Sequence, residues 1–358
     1  MLSVNLKAVC IQVHLILMLD GEHQSLYPCA INSILIRSRY MKYALLFLLT
    51  GLLLTGCFKD ELPVQKHESG DAVEVQISVG QDYNDQVFYS LTNNEVISTN
   101  QKTDWDLAFE SSTVGFHIRL NTSRGMAIHH STLNFSDVTD ASGLDWNWDK
   151  PNGDLDSTAI GDWLTDNHLY VLDMGYDASG AQLGYKKFIL SGVTQTEYTI
   201  EFGDLADVVS QTLTITKNDI NLFTYYKLGE GEVTIAPPNE YWDLKFTQYT
   251  HVFHSPSQPY VVTGALLNRF NTTAARIENK PFNDVVFDDI ASLTFSSNMD
   301  YIGYDWKTFD FTNSIYIVHS EVTYIVRTNQ GGYYKFHFVD FYNDQGEKGY
   351  PKMEVQLL

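Results

Sequence analysis

The sequence predicts an all-β, mostly antiparallel fold made of two related β modules, and three observations carry that expectation. Apolar and polar residues alternate with period two in short runs, as in Val73–Val79, Gln211–Thr216 and Tyr333–Phe338. Turn-forming clusters separate such runs: Asn93-Asn94, Asp177–Gly180, Asn329–Gly332 and Asn343–Gly346. A set of motifs recurs twice in the same order, as set out below. The 22 Tyr and 20 Phe also favour strands. Helical periodicity is nearly absent, and Ile200–Val209 is the one short helix that the pattern allows.

The first element in chain order is a targeting segment, Met41–Glu61. Arg37, Arg39 and Lys42 precede an apolar run from Ala44 to Leu54, which ends in Leu54-Thr55-Gly56-Cys57. A basic lead, a short apolar stretch and small residues at a cut describe a secretory signal. The run is shorter than the roughly 20 residues that span a bilayer. A cysteine directly after Leu-Thr-Gly resembles a bacterial lipobox, so Cys57 is the expected lipidation site. The start expected on this reading is Met41, and residues 1–56 stand outside the fold. Residues 57–70 read as a lipidated polar tether. Their Lys59-Asp60-Glu61 resembles the signal that sends Bacteroidetes lipoproteins to the outer face of the outer membrane.

Charge and cysteine usage narrow the class further. The chain carries 23 basic and 44 acidic residues, a formal net charge of −21. Residues 1–56 hold four of the basic and two of the acidic side chains, which leaves a net −23 on the rest. Such a charge repels nucleic acid and anionic lipid, so any membrane link is expected through the lipid alone. Cys10 and Cys29 precede the lipobox, so no disulfide is expected and stability must come from a hydrophobic core.

The repeat defines the modules, 71–205 and 206–358. Phe88-Tyr-Ser-Leu91, Glu95-Val96 and Trp105-Asp-Leu-Ala-Phe109 are echoed by Phe223-Thr-Tyr-Tyr226, Glu232-Val233 and Trp242-Asp-Leu-Lys-Phe246. Ile160-Gly-Asp-Trp163 returns as Ile302-Gly-Tyr-Asp-Trp306, and Tyr185-Lys-Lys-Phe188 as Tyr334-Lys-Phe336. Trp, Leu and Phe of the Trp-Asp-Leu-x-Phe motif are expected on one core-facing side, with the Asp capping a turn or bonding a backbone amide. Motifs shared by both copies point to fold rather than to a ligand site.

These motifs resemble the HmuY family of Bacteroidetes lipoproteins. The residues that carry the resemblance are the lipobox, Thr103–Phe109, Ile118-Arg-Leu-Asn-Thr122, Tyr324-Ile-Val-Arg327, Gly332–Phe338 and Phe341–Gly349. It implies a β-rich, surface-held or periplasmic protein without catalysis. It also implies capture of haem or a related porphyrin for iron acquisition, and transfer to a TonB-dependent outer-membrane receptor. Family members ligate the iron through His or Met. The stretch that would carry the second ligand, Asn298–Trp306, holds Met299 and no His.

The haem-ligand candidates are therefore His117, His168, His254, Met299, His129 and His130. His117 and His254 each lie twelve residues after the motif Trp, which fits two equivalent sites, one shared site or a common structural role. His129 and His130 are neighbours in an expected strand and must face opposite ways. His168 follows the polar Leu164–Asn167 loop, and His337, between Phe336 and Phe338, is expected to face solvent or a neighbouring strand. Asp145–Asp149 and Asn152–Asp156 are rich in oxygen donors and form a candidate calcium loop or, through Trp146 and Trp148, a glycan platform; a solvated acidic loop is the plainer alternative. No Gly-x-Ser-x-Gly, Walker or His-Glu-x-x-His motif is present. The functional expectation is a haem-binding surface lipoprotein of a Gram-negative bacterium. The alternative is a non-haem binding lipoprotein of the same fold, with a glycan or protein ligand.

Overall fold

A computed structural model describes residues 69–165, 168–254 and 257–358. The signal, Cys57 and nearly all of the tether lie outside the described residues. The strands in chain order begin with β1 (Val73–Gln76), β2 (Asp85–Ser90), β3 (Glu95–Gln101), β4 (Leu107–Glu110), β5 (Ile118–Leu120), β6 (Ala127–Ser131) and β7 (Leu169–Asp173). They continue with β8 (Tyr185–Val193), β9 (Glu197–Asp204), β10 (Gln211–Thr216), β11 (Phe223–Lys227), β12 (Gly231–Val233) and β13 (Leu244–His254). The remainder are β14 (Ser257–Leu267), β15 (Thr273–Ile277), β16 (Lys307–Asp310), β17 (Ile315–Val318), β18 (Thr323–Arg327), β19 (Tyr333–Tyr342) and β20 (Lys348–Leu357). Every ladder between them is antiparallel. The helix expected over Ile200–Val209 is instead the second half of β9 and a turn. Tyr198, Ile200 and Phe202 alternate inward along β9, so a period of two prevails over the short apolar cluster.

Four of the sheets pair into two sandwiches of the same plan. In one, β14-β13-β2-β3 faces β1-β20-β19-β18-β15. Its core runs from Tyr89, Leu244 and Phe246 to Trp306, Tyr324, Phe336 and Phe338. In the other, β12-β11-β4-β5 faces β10-β9-β8-β7-β6 around Leu107, Phe109, Tyr170, Phe188 and Tyr198. Strands β1–β3 belong to residues 71–205 yet complete the sandwich built by β13–β20. Strands β10–β12 belong to residues 206–358 yet complete the one built by β4–β9. Each repeat therefore lends its first three strands to the other, and neither sandwich closes without both.

The repeated aspartates fix this exchange. Asp106 Oδ2 accepts the Leu228 amide at 2.7 Å, and Asp243 Oδ2 accepts the Leu91 amide at 2.9 Å. Each thus holds the turn after the strand that the other repeat has lent, as the sequence led us to expect for a backbone bond. The expected single face for Trp, Leu and Phe does not hold. Leu107 and Phe109 enter one sandwich core and Leu244 and Phe246 the other, whereas Trp105 and Trp242 meet in a third cluster with Phe88, Ala108, Ile235 and Ala236. The tryptophans precede the strands and turn away from their interiors. Phe88 meets Trp242 edge-on at 4.9 Å, and Tyr225 meets Trp105 at 5.0 Å.

Candidate functional site

The two copies differ most in the hairpin that follows the Trp-Asp-Leu motif. In the first, β4 has four residues and β5 three; in the second, β13 and β14 have eleven each. Only Leu244–Phe246 of β13 pair with β2, so the rest of β13 has β14 as its strand partner. Segment Met299–Tyr304 lies across this hairpin through the Ala265–Gly303 bridge. Gly264 permits that approach, because a Cβ there would collide with the Gly303 carbonyl. Tyr249, Val262 and Leu266 pack with Met299 and Tyr304 to anchor it.

The outer end of the hairpin is aromatic and exposed. His251 stands opposite Tyr260 in the ladder, and its ring lies 4.9 Å from Phe253 and 5.2 Å from Tyr304. Phe253 and Tyr260 are 42% and 61% exposed, unusual for residues of this size grouped together. His251 Nδ1 is buried without a hydrogen-bond partner. Burial raises the Asp300 carboxyl above its ordinary range, and the neighbouring His251 opposes that rise. His251 is not among the ligand candidates that the sequence singles out. Its signal was the aromatic run His251–His254 opposite Tyr260, which becomes visible only once the hairpin register is known.

The singled-out residues fall in separate places. His117 lies beside β5 and its Nδ1 is 2.6 Å from Glu110 Oε2, with its ring stacked on Phe116 at 4.1 Å. His254 ends β13 and is exposed. Equal spacing from the motif Trp thus gives unequal positions: His117 closes the turn of the short hairpin, whereas His254 precedes the turn of the long one. His129 and His130 do face opposite ways, with His129 Nδ1 3.0 Å from the Asp145 carbonyl and His130 Nε2 2.8 Å from that of Ala159. The rings of His130 and His168 come within 5.7 Å, both beside Tyr170. Met299 Sδ is held by Arg119 Nη1 at 2.9 Å. His337 bonds Glu354 on the neighbouring strand at 3.0 Å.

The acidic loop is structural at its centre. Asp149 is buried, and its oxygens accept the Leu120 and Ala159 amides at 2.8 Å each, so its carboxylate ties the loop to β5 rather than standing in solvent. Among the described residues, no group of three or more His, Cys, Asp or Glu is placed to hold a metal ion. Trp146 is stacked on Tyr185 at 5.7 Å rather than standing free. Among the described residues no helix is long and apolar enough to cross a membrane.

Fold and site together define a duplicated antiparallel β protein with an aromatic, histidine-bearing hairpin. The profile of the family described as HmuY protein matches residues 82–354, and the chain belongs to that family. No curated protein matches the sequence. Among solved structures, an apo HmuY analog from Tannerella forsythia is 10% identical, covering 82% of this chain and 98% of its own, with a TM-score of 0.24. Apo PinO from Porphyromonas gingivitis is 8% identical, covering 80% and 97%, with a TM-score of 0.28. A putative HmuY-like heme binding protein from Bacteroides vulgatus is 11% identical, covering 79% and 90%, with a TM-score of 0.23. Superpositions this poor add nothing to the family match.

Proposed function

We propose that this protein is a lipid-anchored haem- or porphyrin-binding protein of the outer membrane, held at the cell surface or facing the periplasm, which passes its cargo to a TonB-dependent receptor. The observation that carries this reading is the HmuY family match over residues 82–354. Cys57, outside the described residues, is the proposed lipid anchor. Iron in haem needs an axial nitrogen or sulfur donor and an apolar surface for the ring. The hairpin end offers both: the half-buried imidazole of His251, and the rings of Phe253, Tyr260 and Tyr304. His251 is the proposed iron ligand here. His254, three residues on, faces the other way along the strand and serves as the comparison.

Haemin titration with visible spectra in ferric and reduced states tests the reading. A saturable one-to-one Soret shift, lost in His251→Ala and kept in His254→Ala, is the expected result. A shift lost instead with His117, His168, His129, His130 or Met299 substitutions would move the site. No shift beyond that of free haemin, in either redox state, would sink haem capture and favour the glycan or protein ligand.

A further inference from the structure

A second site lies away from the hairpin end, where the two sandwiches meet. Trp105, Trp242, Phe88 and Phe223 wall a cavity of about 70 Å³, and Arg119 and Lys245 line it as well. The two cations come from opposite copies of one ladder position. Arg119 pairs with Ala108 in the first copy, and Lys245 pairs with Leu266 in the second. Each copy thus contributes one cation and one small or apolar residue, and the pair faces the shared cavity.

Two of the donors that line the cavity lack acceptors. Among the described residues Lys245 Nζ has no hydrogen-bond or ion-pair partner, and it lies 5.8 Å from the centre of the Phe88 ring. Arg119 bonds Met299 Sδ and lies over Phe223 at 5.7 Å. Asp149 offsets part of its charge, but both carboxylate oxygens are already bonded to backbone amides. The Trp242 indole N–H is buried without a partner. Its counterpart, Trp105, donates to Gln86 Oε1 at 2.9 Å. The ladders shift the echo read from the sequence by two residues, because Val87 and Phe88 occupy the places of Thr224 and Tyr225 and not those of Leu222 and Phe223; the place equivalent to Gln86 is therefore Phe223, which offers no side-chain acceptor. Arg269 also lines the cavity and is held by the Gly153 carbonyl. Burial, with Arg119 adding to it, brings the Lys245 ammonium down to about 7, as expected for a cation lacking a counter-ion.

We propose that this cavity binds a small organic carboxylate, its anionic end shared by Lys245, Arg119 and the Trp242 N–H, and its apolar body set against Phe88, Phe223 and Trp105. Buried cations and orphan donors are costly unless an acceptor arrives, and a carboxylate satisfies all three at once. The small volume limits the class to short aliphatic acids, for which butyrate and isobutyrate serve as probes. The inference stands apart from haem capture, since none of these groups lies at the hairpin end.

Butyrate and isobutyrate titrations of the purified protein, followed by calorimetry and tryptophan fluorescence, test it. Saturable one-to-one binding is expected, weakened at least tenfold in Lys245→Met and about tenfold in Trp242→Phe, which keeps an aromatic ring but removes the donor. Benzoate is expected to bind more weakly than butyrate. Absence of saturable binding for acetate, butyrate and isobutyrate would overturn the proposal. So would unchanged affinity in Lys245→Met, or equal competition by chloride, which would mean an inorganic anion site only. Haemin titration of Lys245→Met separates the two readings, because the Soret shift is expected to survive that change.

Discussion

Lys187 and Lys335 occupy equivalent places in the two sandwiches and close the same cage. Lys187 Nζ donates to the carbonyls of Phe135, Val138 and Leu205 at 2.6, 2.8 and 3.0 Å, and lies 4.4 Å from the centre of the Phe135 ring. Lys335 Nζ donates to the carbonyls of Phe282 and Val285 at 2.7 and 2.9 Å, with the Phe282 ring also at 4.4 Å. Both lysines are almost wholly buried and, among the described residues, carry no direct ion pair. The ammonium organises a short 3-10 turn, Phe135–Asp137 in one copy and Phe282–Asp284 in the other, whose carbonyls have no strand to bond.

Removing that donor strands buried acceptors. Lys335→Met keeps the aliphatic stem and leaves the Val285 carbonyl unpaired, whereas the Phe282 carbonyl still accepts the Val285 amide at 3.2 Å. One unsatisfied buried group costs about 1–3 kcal/mol, and urea unfolding is expected to show a loss of about 2 kcal/mol. Lys187→Met, with three carbonyls stranded, is expected to lose more. Equal or higher midpoints in both variants would remove the cages from the account of stability.

Asp106 and Asp243 make the same amide bond but differ in their second oxygen. Asp106 Oδ1 holds the buried Arg124 at 2.6 Å, whereas Asp243 Oδ1 is buried without a partner. Burial pushes the Asp243 carboxyl up. Asp106→Asn leaves an uncompensated buried arginine and is expected to cost about 3–5 kcal/mol. Asp243→Asn removes a buried charge that backbone amides, Leu91 first, offset only in part, and it is expected to raise the thermal midpoint at pH 7. The two substitutions, identical in sequence context, thus shift the melting temperature in opposite directions.

Cys57→Ser tests the anchor. Wild-type protein expressed in a Gram-negative host is expected to partition into the detergent phase on Triton X-114 separation and to incorporate labelled fatty acid. The variant is expected to do neither. Fatty-acid labelling that persists in the variant would refute lipidation at Cys57.

The architecture was legible in the sequence wherever one residue sufficed to state it. Alternation marked β1, β10 and β19; the repeated Trp, Asp and Lys marked equivalent positions; and the Asp-to-amide bond followed from residue type. What stayed hidden depended on pairing across long separations. The lending of β1–β3 and β10–β12 joins residues such as Val73 and Val355, which no local pattern connects. The direction of Trp105 and Trp242 was hidden for the same reason: period two holds only inside a strand, and these residues stand just before one. The histidines were legible as residues but not as sites. His117 and His254 share a spacing but not a place, because the second hairpin is far longer than the first, and His251 gains its aromatic neighbours from β14 and from Tyr304.

Lys307 predicts how stability depends on pH. Its ammonium is buried beside the Trp306 ring at 4.2 Å and donates to the Thr263 carbonyl at 2.6 Å. Burial brings it down to about 7 from an ordinary value of 10.5, with Asp305 opposing only part of the shift. Between those two values the unfolded chain binds the proton and the folded chain does not, so stability rises with pH across the window. The penalty is fully present below about pH 7 and fades toward pH 10.5. Lys245, also lowered to about 7, adds to the same slope. The buried tyrosines oppose it only near pH 10 and above, where the unfolded chain begins to ionise them. The unfolding free energy is therefore expected to climb from pH 7 to about pH 9.5 in the wild type, less steeply in Lys307→Met, and least in Lys307→Met/Lys245→Met. A flat or falling profile in the wild type would mean that both ammonium groups keep their ordinary affinity for the proton inside the fold.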